Sequence, residues 1–286
     1  MTGLSDAAAV FSRVRPRLFG IAYRMLGSVS EAEDIVQDAW IRWQGADRAA
    51  VRNPDAFLAT TTTRLAINEA QSARARRETY VGPWLPEPVD TSADPQLGAE
   101  RAAALEFAVL VLLEKLSPTE RAAYVLREAF DYPYPRIAEI VEVSEAAARQ
   151  LVSRARKHLA ENRHRPVTSA ARRELLESFL AAARTGDLAA LEGLLAEDAV
   201  SMSDGGGRVR AAKFPVLGRD RVAKFVAAFA GHFWTGVDVS VRHLNGEDAL
   251  LLRRDGAVVC VVTVDASDGG IGRLSWLMNP EKLARV

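Results

Sequence analysis

The spacing of apolar residues predicts an all-helical segment near the start of the chain, residues 7–78. Apolar side chains recur there at intervals of three and four, the period of one helix face. Gly27-Ser28 interrupts the first helix, and Ser30 is the predicted N-cap of the second. The predicted second and third helices are Glu31–Trp43 and, after Asn53-Pro54-Asp55, about Ala56–Arg77.

Residues 132–165 have the pattern of a helix-turn-helix that ends in a basic helix. Pro135 lies at the start of a short predicted helix, Tyr134–Val141, and Ser144 is the predicted N-cap of the next helix. That second helix has an apolar face and a face of long hydrogen-bond donors, which suits a DNA major groove. A solvated helix of a bundle is the alternative. The polar face consists of Arg149, Gln150, Ser153, Arg154, Arg156 and Lys157.

The last part of the chain, residues 166–286, combines helices with strands. Two helices, about Ala171–Thr185 and Leu188–Leu195, are followed by β-rich runs that one helix, Arg219–Phe233, interrupts. Asp255-Gly256 lies between two such runs and predicts a hairpin turn. This pattern predicts helices packed on one curved antiparallel sheet. The predicted strands are Ala199–Ser203, Arg208–Lys213, Val237–Leu244, Ala249–Arg254, Val258–Val264 and Gly270–Met278.

A proline-rich linker separates the two helical parts, because the prolines in Val81–Val89 keep the chain extended. The predicted fold class is therefore multidomain, with two all-α domains and a C-terminal α+β domain. The predicted boundaries are residues 1–80, the linker at residues 81–100, residues 101–165 and residues 166–286.

Charge and composition narrow the functional classes. The chain has 37 basic and 37 acidic residues, so any DNA binding depends on local patches such as Arg74–Arg77 and Arg154–Arg165. We find no apolar run of about 18 residues and no secretory pattern near the start, and we therefore expect a cytoplasmic protein without a membrane span. Cys260 stands alone in an apolar run, which excludes a disulfide framework and favours a buried, inert thiol.

Four motifs follow one another in the order Leu18–Gly27, Glu31–Trp40, Leu116–Ala122 and Ile137–Arg156. In this order they resemble the two helical domains of bacterial RNA polymerase sigma factors, in particular the extracytoplasmic-function (ECF) group. Residues 166–286 resemble a SnoaL-like domain, which has the cone-shaped fold of nuclear transport factor 2 (NTF2). Three further motifs are similar to those of the sigma-J-like subgroup, which carries such an extension: Trp84–Pro88, Asp204–Arg208 and Asn279–Leu283.

The resemblance implies a sigma factor that directs core RNA polymerase to specific promoters. Its implied partners are the β′ and β subunits of core polymerase and promoter DNA, while no membrane contact and no dedicated anti-sigma factor are expected. The alternative is a helix-turn-helix transcription regulator with a ligand-binding or catalytic SnoaL-like domain. Such a regulator needs no docking helix, and Glu31–Trp43 therefore argues against it.

The helix Glu31–Trp43 carries two carboxylates one turn apart beside an aromatic residue and Ile41. This combination suits a basic protein surface, although a solvated acidic face above a buried Trp has the same pattern. The resemblance implies that the helix docks on a coiled coil of the β′ subunit. The implied polymerase-binding residues are Asp34, Gln37, Asp38 and Trp40.

The resemblance places the reader of the promoter −10 element on the third helix, where melted DNA needs cations and pockets for unstacked bases. Phe57, Arg64 and Asn68 replace the Trp, Asn and Asp that are usual in the group, so the bases that are read cannot be carried over. The candidate DNA-binding residues are Asn53, Arg64, Asn68, Arg74, Arg76 and Arg77.

The −35 element would be read by the basic helix of the helix-turn-helix. Arg149 and Gln150 lie in its first turns, from which side chains commonly reach base edges. Ser153 lies on the same face, and we expect Arg154, Arg156 and Lys157 to hold phosphates.

The linker segment Trp84–Pro88 is apolar and stiffened by proline, which favours an interface. The resemblance implies that it docks on the other two subgroup motifs and that the SnoaL-like domain thereby regulates the helical domains. The resemblance leaves the sign of this regulation open: the body of the domain could restrain promoter activity while its tail supports it. The implied interdomain residues are Trp84, Leu85, Pro86, Asp204, Gly205, Arg208, Asn279, Pro280 and Leu283.

Relatives of the SnoaL-like fold include enzymes that use an Asp or His as general acid or base. The candidates in this domain are Asp204, His232, Asp238 and His243. None of them forms a recognisable catalytic pair or a metal-ligand spacing. We therefore expect no enzymatic activity, no cofactor and no metal, since fold alone does not give function.

Overall fold

The computed structural model describes residues 2–91, 106–162 and 166–286, with side chains from residue 6 onward. These residues form two compact units: residues 2–78 with 106–160, and residues 79–91 with 161–162 and 166–286. The first part of the linker thus groups with the C-terminal domain. The rest of the predicted linker, residues 92–100, and Arg163 and Arg165 of the basic cluster lie outside the described residues.

The first unit begins with three helices, α1 (Thr2–Leu26), α2 (Val29–Gly45) and α3 (Pro54–Glu78). The predicted N-cap of α2 was wrong: Ser28 caps this helix, and its Oγ accepts a hydrogen bond from the Glu31 amide at 3.3 Å. Gly27, with φ of 65°, ends α1, so Ser28 is the extended residue before α2 and Ser30 already lies in its first turn.

Four more helices follow in this unit: α4 (Phe107–Leu113), α5 (Pro118–Glu128), α6 (Tyr134–Val141) and α7 (Glu145–Asn162). The helix-turn-helix forms as predicted. Glu142 takes a left-handed conformation after α6, and Ser144 caps α7 by accepting from the Ala147 amide at 3.2 Å. The apolar face of α7 is buried, which leaves its basic face outward. The buried residues of this helix are Ala148, Leu151, Val152, Ala155 and Leu159.

The second unit packs helices on a six-stranded sheet of order β2-β1-β6-β5-β4-β3. Its helices are α8 (Ser169–Thr185), α9 (Leu188–Leu194), α10 (Arg219–Ala228), α11 (Ala230–Phe233) and α12 (Pro280–Leu283). Its strands are β1 (Leu195–Asp204), β2 (Val216–Leu217), β3 (Asp238–Leu244), β4 (Glu247–Arg254), β5 (Ala257–Ser267) and β6 (Gly270–Leu277).

The expectation of a purely antiparallel sheet was wrong, because β1 pairs with β6 in parallel. Tight hairpins join β3, β4, β5 and β6 in sequence, and hairpins impose antiparallel pairing. No short turn connects β1 to β6, so the packing of the whole domain sets their relative direction. The hairpin turn predicted at Asp255-Gly256 is present, with φ of 51° and 80°.

Two predicted elements of this unit differ from the structure. Arg208–Lys213 is a loop rather than a strand, because Gly206 and Gly207 have φ of 58° and 72° and reverse the chain. The amides of Arg208 and Val209 then both bond to the Gly205 carbonyl, at 2.9 and 3.2 Å. The predicted helix Arg219–Phe233 is divided at Phe229, whose amide bonds to the Val226 carbonyl three residues back.

Several aromatic rings contact one another in the largely aliphatic core of the second unit. The rings of Phe179 and Phe233 lie 5.9 and 5.7 Å from that of Trp276. Cys260 is fully buried in the same core, and burial raises the pKa of its thiol far above its usual range, as expected of an inert thiol.

Candidate functional sites

The acidic face of α2 is open to solvent. Asp34, Gln37 and Asp38 are all exposed, and Ile41 beside them is 56% exposed. Trp40 is half-buried, with its ring 4.9 Å from that of Phe11. The face therefore offers two carboxylates, an amide and an aliphatic side chain.

The candidate −10 residues on and before α3 have different environments. Asn53 caps the helix through its Oδ1, which accepts from the Ala56 amide at 3.0 Å, while Asn68 and Arg74 are exposed. Arg76 bonds to Glu69 and Glu31, both at 2.6 Å, and these hydrogen bonds raise its pKa.

Arg77 is held within the first unit. Its guanidinium donates to the Leu26 carbonyl at 2.5 Å and pairs with Glu114. Only 15% of its side chain is exposed. These contacts give Arg77 a structural role between the helices, which leaves little of it for DNA.

Arg64 and Arg136 connect α3 to the first helix of the helix-turn-helix. Arg64 donates to the carbonyls of Ile140 and Glu139 at 3.0 and 2.9 Å, where α6 ends and carbonyl groups lack helical partners. Arg136 of α6 donates in return to the Ala56 carbonyl at 2.9 Å. The Arg64 side chain, which was expected to touch −10 DNA, is thus bonded to α6, with 44% of it still exposed.

The polar face of the recognition helix α7 is exposed at all six predicted positions. Arg149 pairs with Glu145 at 2.6 Å and lies 4.4 Å from the centre of the Tyr134 ring. Arg154 and Arg156 pair with Glu120 and Glu128 at 2.9 and 2.6 Å, and all three arginines keep more than half of their side chains exposed. Exposed pairs of this kind are weak, so phosphates can replace the carboxylates at little cost.

A buried ion pair holds the linker in the second unit. Asp204 is fully buried at the end of β1, and its Oδ2 accepts from Lys282 Nζ at 2.7 Å and from the Leu85 amide at 2.9 Å. Lys282 Nζ also donates to the Leu85 carbonyl at 2.5 Å. Both main-chain groups of one linker residue are therefore bound by one carboxylate and one ammonium group, which we call the linker clamp.

Aromatic side chains from the linker complete the linker clamp. Tyr80 donates to Asp204 Oδ1 at 2.6 Å and accepts from Asn279 Nδ2 at 2.9 Å. Burial, and then the bond to Asp204, raise the pKa of Tyr80 far above its usual range. Lys282 Nζ lies 4.1 Å from the centre of the Trp84 ring, a cation–π distance. The ammonium group thus has anionic, carbonyl and aromatic partners.

The three subgroup motifs meet at this clamp. Leu85 and Pro86 are buried, and Trp84 is partly buried. A Cβ on Gly206 would lie 2.3 Å from Asn279 Nδ2, so the loop after β1 admits only glycine there. Among the remaining predicted residues, Gly205 and Leu283 are buried, Arg208 pairs with Glu281 at 2.8 Å, and Pro280 is exposed.

A second attachment of the linker lies at the turn between β3 and β4. The Val89 amide donates to Asn245 Oδ1 at 3.1 Å, and the Asn245 amide donates to the Val89 carbonyl at 2.8 Å. Thr91 Oγ1 accepts from the Gly246 amide at 2.9 Å. Sequence reasoning missed Tyr80, Lys282 and Asn245. An Asn-Gly pair such as Asn245-Gly246 is typical of a turn and gives no sign of a contact with a linker. Lys282 lies within the recognised motif Asn279–Leu283, but it was not among the residues selected from it.

The candidate acid and base residues lie in different environments. Asp204 is buried in the linker clamp, whereas His232, Asp238 and His243 are exposed. No group of three or more His, Cys, Asp or Glu side chains in the described ranges could hold a metal ion. No helix within those ranges is long and apolar enough to cross a membrane.

Comparisons with known proteins agree with this organisation. Residues 10–76 match the family Sigma-70 region 2, and residues 106–159 match Sigma-70, region 4. The chain is 39% identical to the ECF RNA polymerase sigma factor SigJ of Mycobacterium tuberculosis, over 95% of this chain and 91% of that protein. It is 29% identical to the probable ECF sigma factor SigI of the same species, over 99% and 97%.

The crystal structure of Mycobacterium tuberculosis SigJ superposes with a TM-score of 0.78 at 33% identity, covering 97% of this chain and 98% of that one. This match confirms the predicted fold class, two helical sigma domains followed by an NTF2-like α+β domain. The sigma factors to which this chain is related are not enzymes. The chain therefore belongs to the extracytoplasmic-function family of RNA polymerase sigma factors, which bind core RNA polymerase and promoter DNA.

Proposed function

We propose that the C-terminal domain of this sigma factor controls promoter choice by fixing the length of the linker between its two promoter-reading modules. The observation that carries the proposal is the linker clamp, in which Asp204 and Lys282 bind both main-chain groups of Leu85. If the domain only covered an apolar part of the linker, burial of the linker side chains would be sufficient. Binding of the Leu85 main chain also fixes which linker residue lies against Asp204 and Lys282.

The two attachments set how far the linker can stretch. Tyr80 and Thr91 are both bound, and the eleven residue-to-residue steps from one to the other could otherwise span up to about 36–40 Å. With this segment held, its residues can no longer adjust the distance between the modules. DNA rises about 3.4 Å per base pair, so the loss of this freedom restricts the spacings of −10 and −35 elements that one chain can bridge.

We assign the other surfaces from their exposure and charge. Asp34, Gln37, Asp38 and Ile41 form the surface for a basic element of the β′ subunit, with Trp40 supporting it from beneath. Asn68, Arg74 and Arg76 face the melted −10 strand, and α7 enters the major groove at −35. The cytoplasm, where core polymerase acts, is the place of this function, and regulation within the chain makes a dedicated anti-sigma factor unnecessary.

The test is transcription by core polymerase from promoters that differ only in the length of the spacer between −10 and −35. We expect the full chain to show a narrow optimum. Trp84→Ala, and a chain that ends before Asn279, should broaden it, because each removes part of the clamp. Val241→Ala, at an exposed apolar site on β3, is the control. Identical spacer profiles for all four proteins would refute control through linker length.

A further inference from the structure

An exposed aromatic side chain lies among cations between β1 and α10. Phe214 is 79% exposed, more than any other large apolar side chain in the described part of the chain. Val209 and Leu217 nearby are 37% and 56% exposed. Residues 208–221, which we call the basic loop and which include β2 and the first turn of α10, contain five basic residues and one acidic residue. Apolar exposure of this extent within a few residues indicates a binding surface.

Three cations of the basic loop have no partner among the described residues. Arg208 pairs with Glu281, and Arg219 donates to the Leu195 carbonyl at 2.9 Å. In contrast, the side chains of Arg210, Lys213 and Arg221 are exposed and make no hydrogen bond or ion pair with any residue that the structure describes. The loop therefore presents net positive charge that the domain itself does not neutralise.

The linker ties this loop to the end of the DNA-reading helix. Gly82 packs against the main chain of Ala212 and Lys213, where a Cβ would lie within 4 Å of both. The last residue of α3, Glu78, precedes Gly82 by four positions, a distance of at most about 14 Å of extended chain. Only four residue-to-residue steps of the chain therefore separate the last residue of α3 from the linker residue that contacts the basic loop.

We infer that the basic loop binds single-stranded DNA of the melted promoter, with its cations on phosphates and the Phe214 ring stacked on an unpaired base. An aromatic ring gains from stacking only when bases are unpaired, whereas duplex DNA keeps its bases stacked inside. An acidic protein surface would use the cations, but it would bury the exposed ring only if it also carried an apolar pocket, whereas each nucleotide of single-stranded DNA supplies a phosphate and a base face together. This inference rests on the proposed reading of melted DNA by α3.

The experiment measures binding of a short oligothymidine and of duplex DNA to the full chain. Phe214→Ala should weaken oligothymidine binding by about tenfold and leave duplex binding nearly unchanged. Arg210→Ala combined with Lys213→Ala should lower the salt slope of oligothymidine binding by about 1.4, since each lost contact to single-stranded phosphate removes about 0.7. Photo-crosslinking of an iodouracil-substituted oligonucleotide should map to a peptide that contains Phe214.

The matched control combines Val241→Ala with Arg242→Ala, which removes one exposed apolar side chain and one exposed cation from β3, the opposite edge of the same sheet. It should bind both DNAs as the unchanged chain does. Loop variants that bind oligothymidine normally, or that lose single-stranded and duplex binding equally, overturn base stacking by the loop. Loop variants that weaken only the affinity for core polymerase overturn it in favour of a protein partner.

Arg74→Ala separates this inference from the proposed function. If Arg74→Ala weakens oligothymidine binding and the loop variants do not, only the role of the basic loop fails. If neither change affects oligothymidine binding, the proposed reading of melted DNA by α3 fails with it.

Discussion

Replacing Lys282 with methionine tests the linker clamp most directly. Methionine keeps an unbranched apolar stem of the same length against Trp84, with sulfur in place of one methylene, and it lacks the ammonium group. Asp204, which is fully buried, then loses its cation, and the Leu85 carbonyl loses its donor. Loss of one partner from a buried ion pair costs roughly 3–5 kcal/mol, because the remaining charge stays uncompensated.

Where this cost appears depends on which part of the chain can move. The linker can leave Asp204 without unfolding the sheet, and we therefore expect most of the loss as local release of residues 80–85. A loss of about 3 kcal/mol corresponds to roughly 100-fold faster hydrogen exchange at the Leu85 amide, which donates to Asp204. Amides of β4 and β5, in the middle of the sheet, should exchange at nearly unchanged rates.

Hydrogen exchange of the full chain, resolved to the peptide that contains Leu85, measures this effect. Lys224→Met is the matched control, because Lys224 is exposed on α10 and should leave exchange at Leu85 unaltered. Combining Lys282→Met with Asp204→Asn removes both charges, and the double variant should lose less than the sum of the single variants. Unchanged Leu85 exchange in Lys282→Met would show that the pair does not hold the linker.

Two further predictions concern the helical modules. Charge reversal of Asp34 and Asp38 to Arg should weaken binding to core polymerase in an affinity measurement, with little change in circular dichroism because both carboxylates are exposed. Charge reversal of Glu174 and Glu177 on α8 is the control. Unaltered affinity of the Asp34 and Asp38 variant for core polymerase would contradict the docking assignment. In the recognition helix, Arg149→Ala should relax preference at one −35 position by about 1–3 kcal/mol, whereas Lys157→Ala should weaken binding to all sequences and reduce the salt slope by about one. Equal behaviour of these two variants across a promoter panel would contradict the division into base reader and phosphate contact.

Elements that depend on local contacts could be predicted from the sequence. The helix-turn-helix follows from apolar spacing along α6 and α7, the cap at Ser144 and the proline at the start of α6. The β4–β5 hairpin follows from Asp255-Gly256, which accepts positive φ. Each of these signals acts between residues a few positions apart, so the sequence carries them without reference to the rest of the fold.

The order of short sequence motifs along the chain predicted more than the spacing of apolar residues did. They identified the sigma-factor domains and pointed to Trp84–Pro88, Asp204–Arg208 and Asn279–Leu283 as surfaces that meet. They did not reveal that Lys282 supplies the cation of the clamp, since a lysine near the end of a short helix is usually solvated.

Contacts between distant residues were decided only by the tertiary structure. The Leu85 amide and Asp204 are 119 positions apart, and Lys282 reaches the Leu85 carbonyl across 197. The parallel pairing of β1 with β6 and the engagement of Arg64 with the end of α6 are equally non-local. Burial in the folded domain removes water from Asp204 and Lys282, and only then does their mutual attraction become strong enough to fix the main chain of the linker.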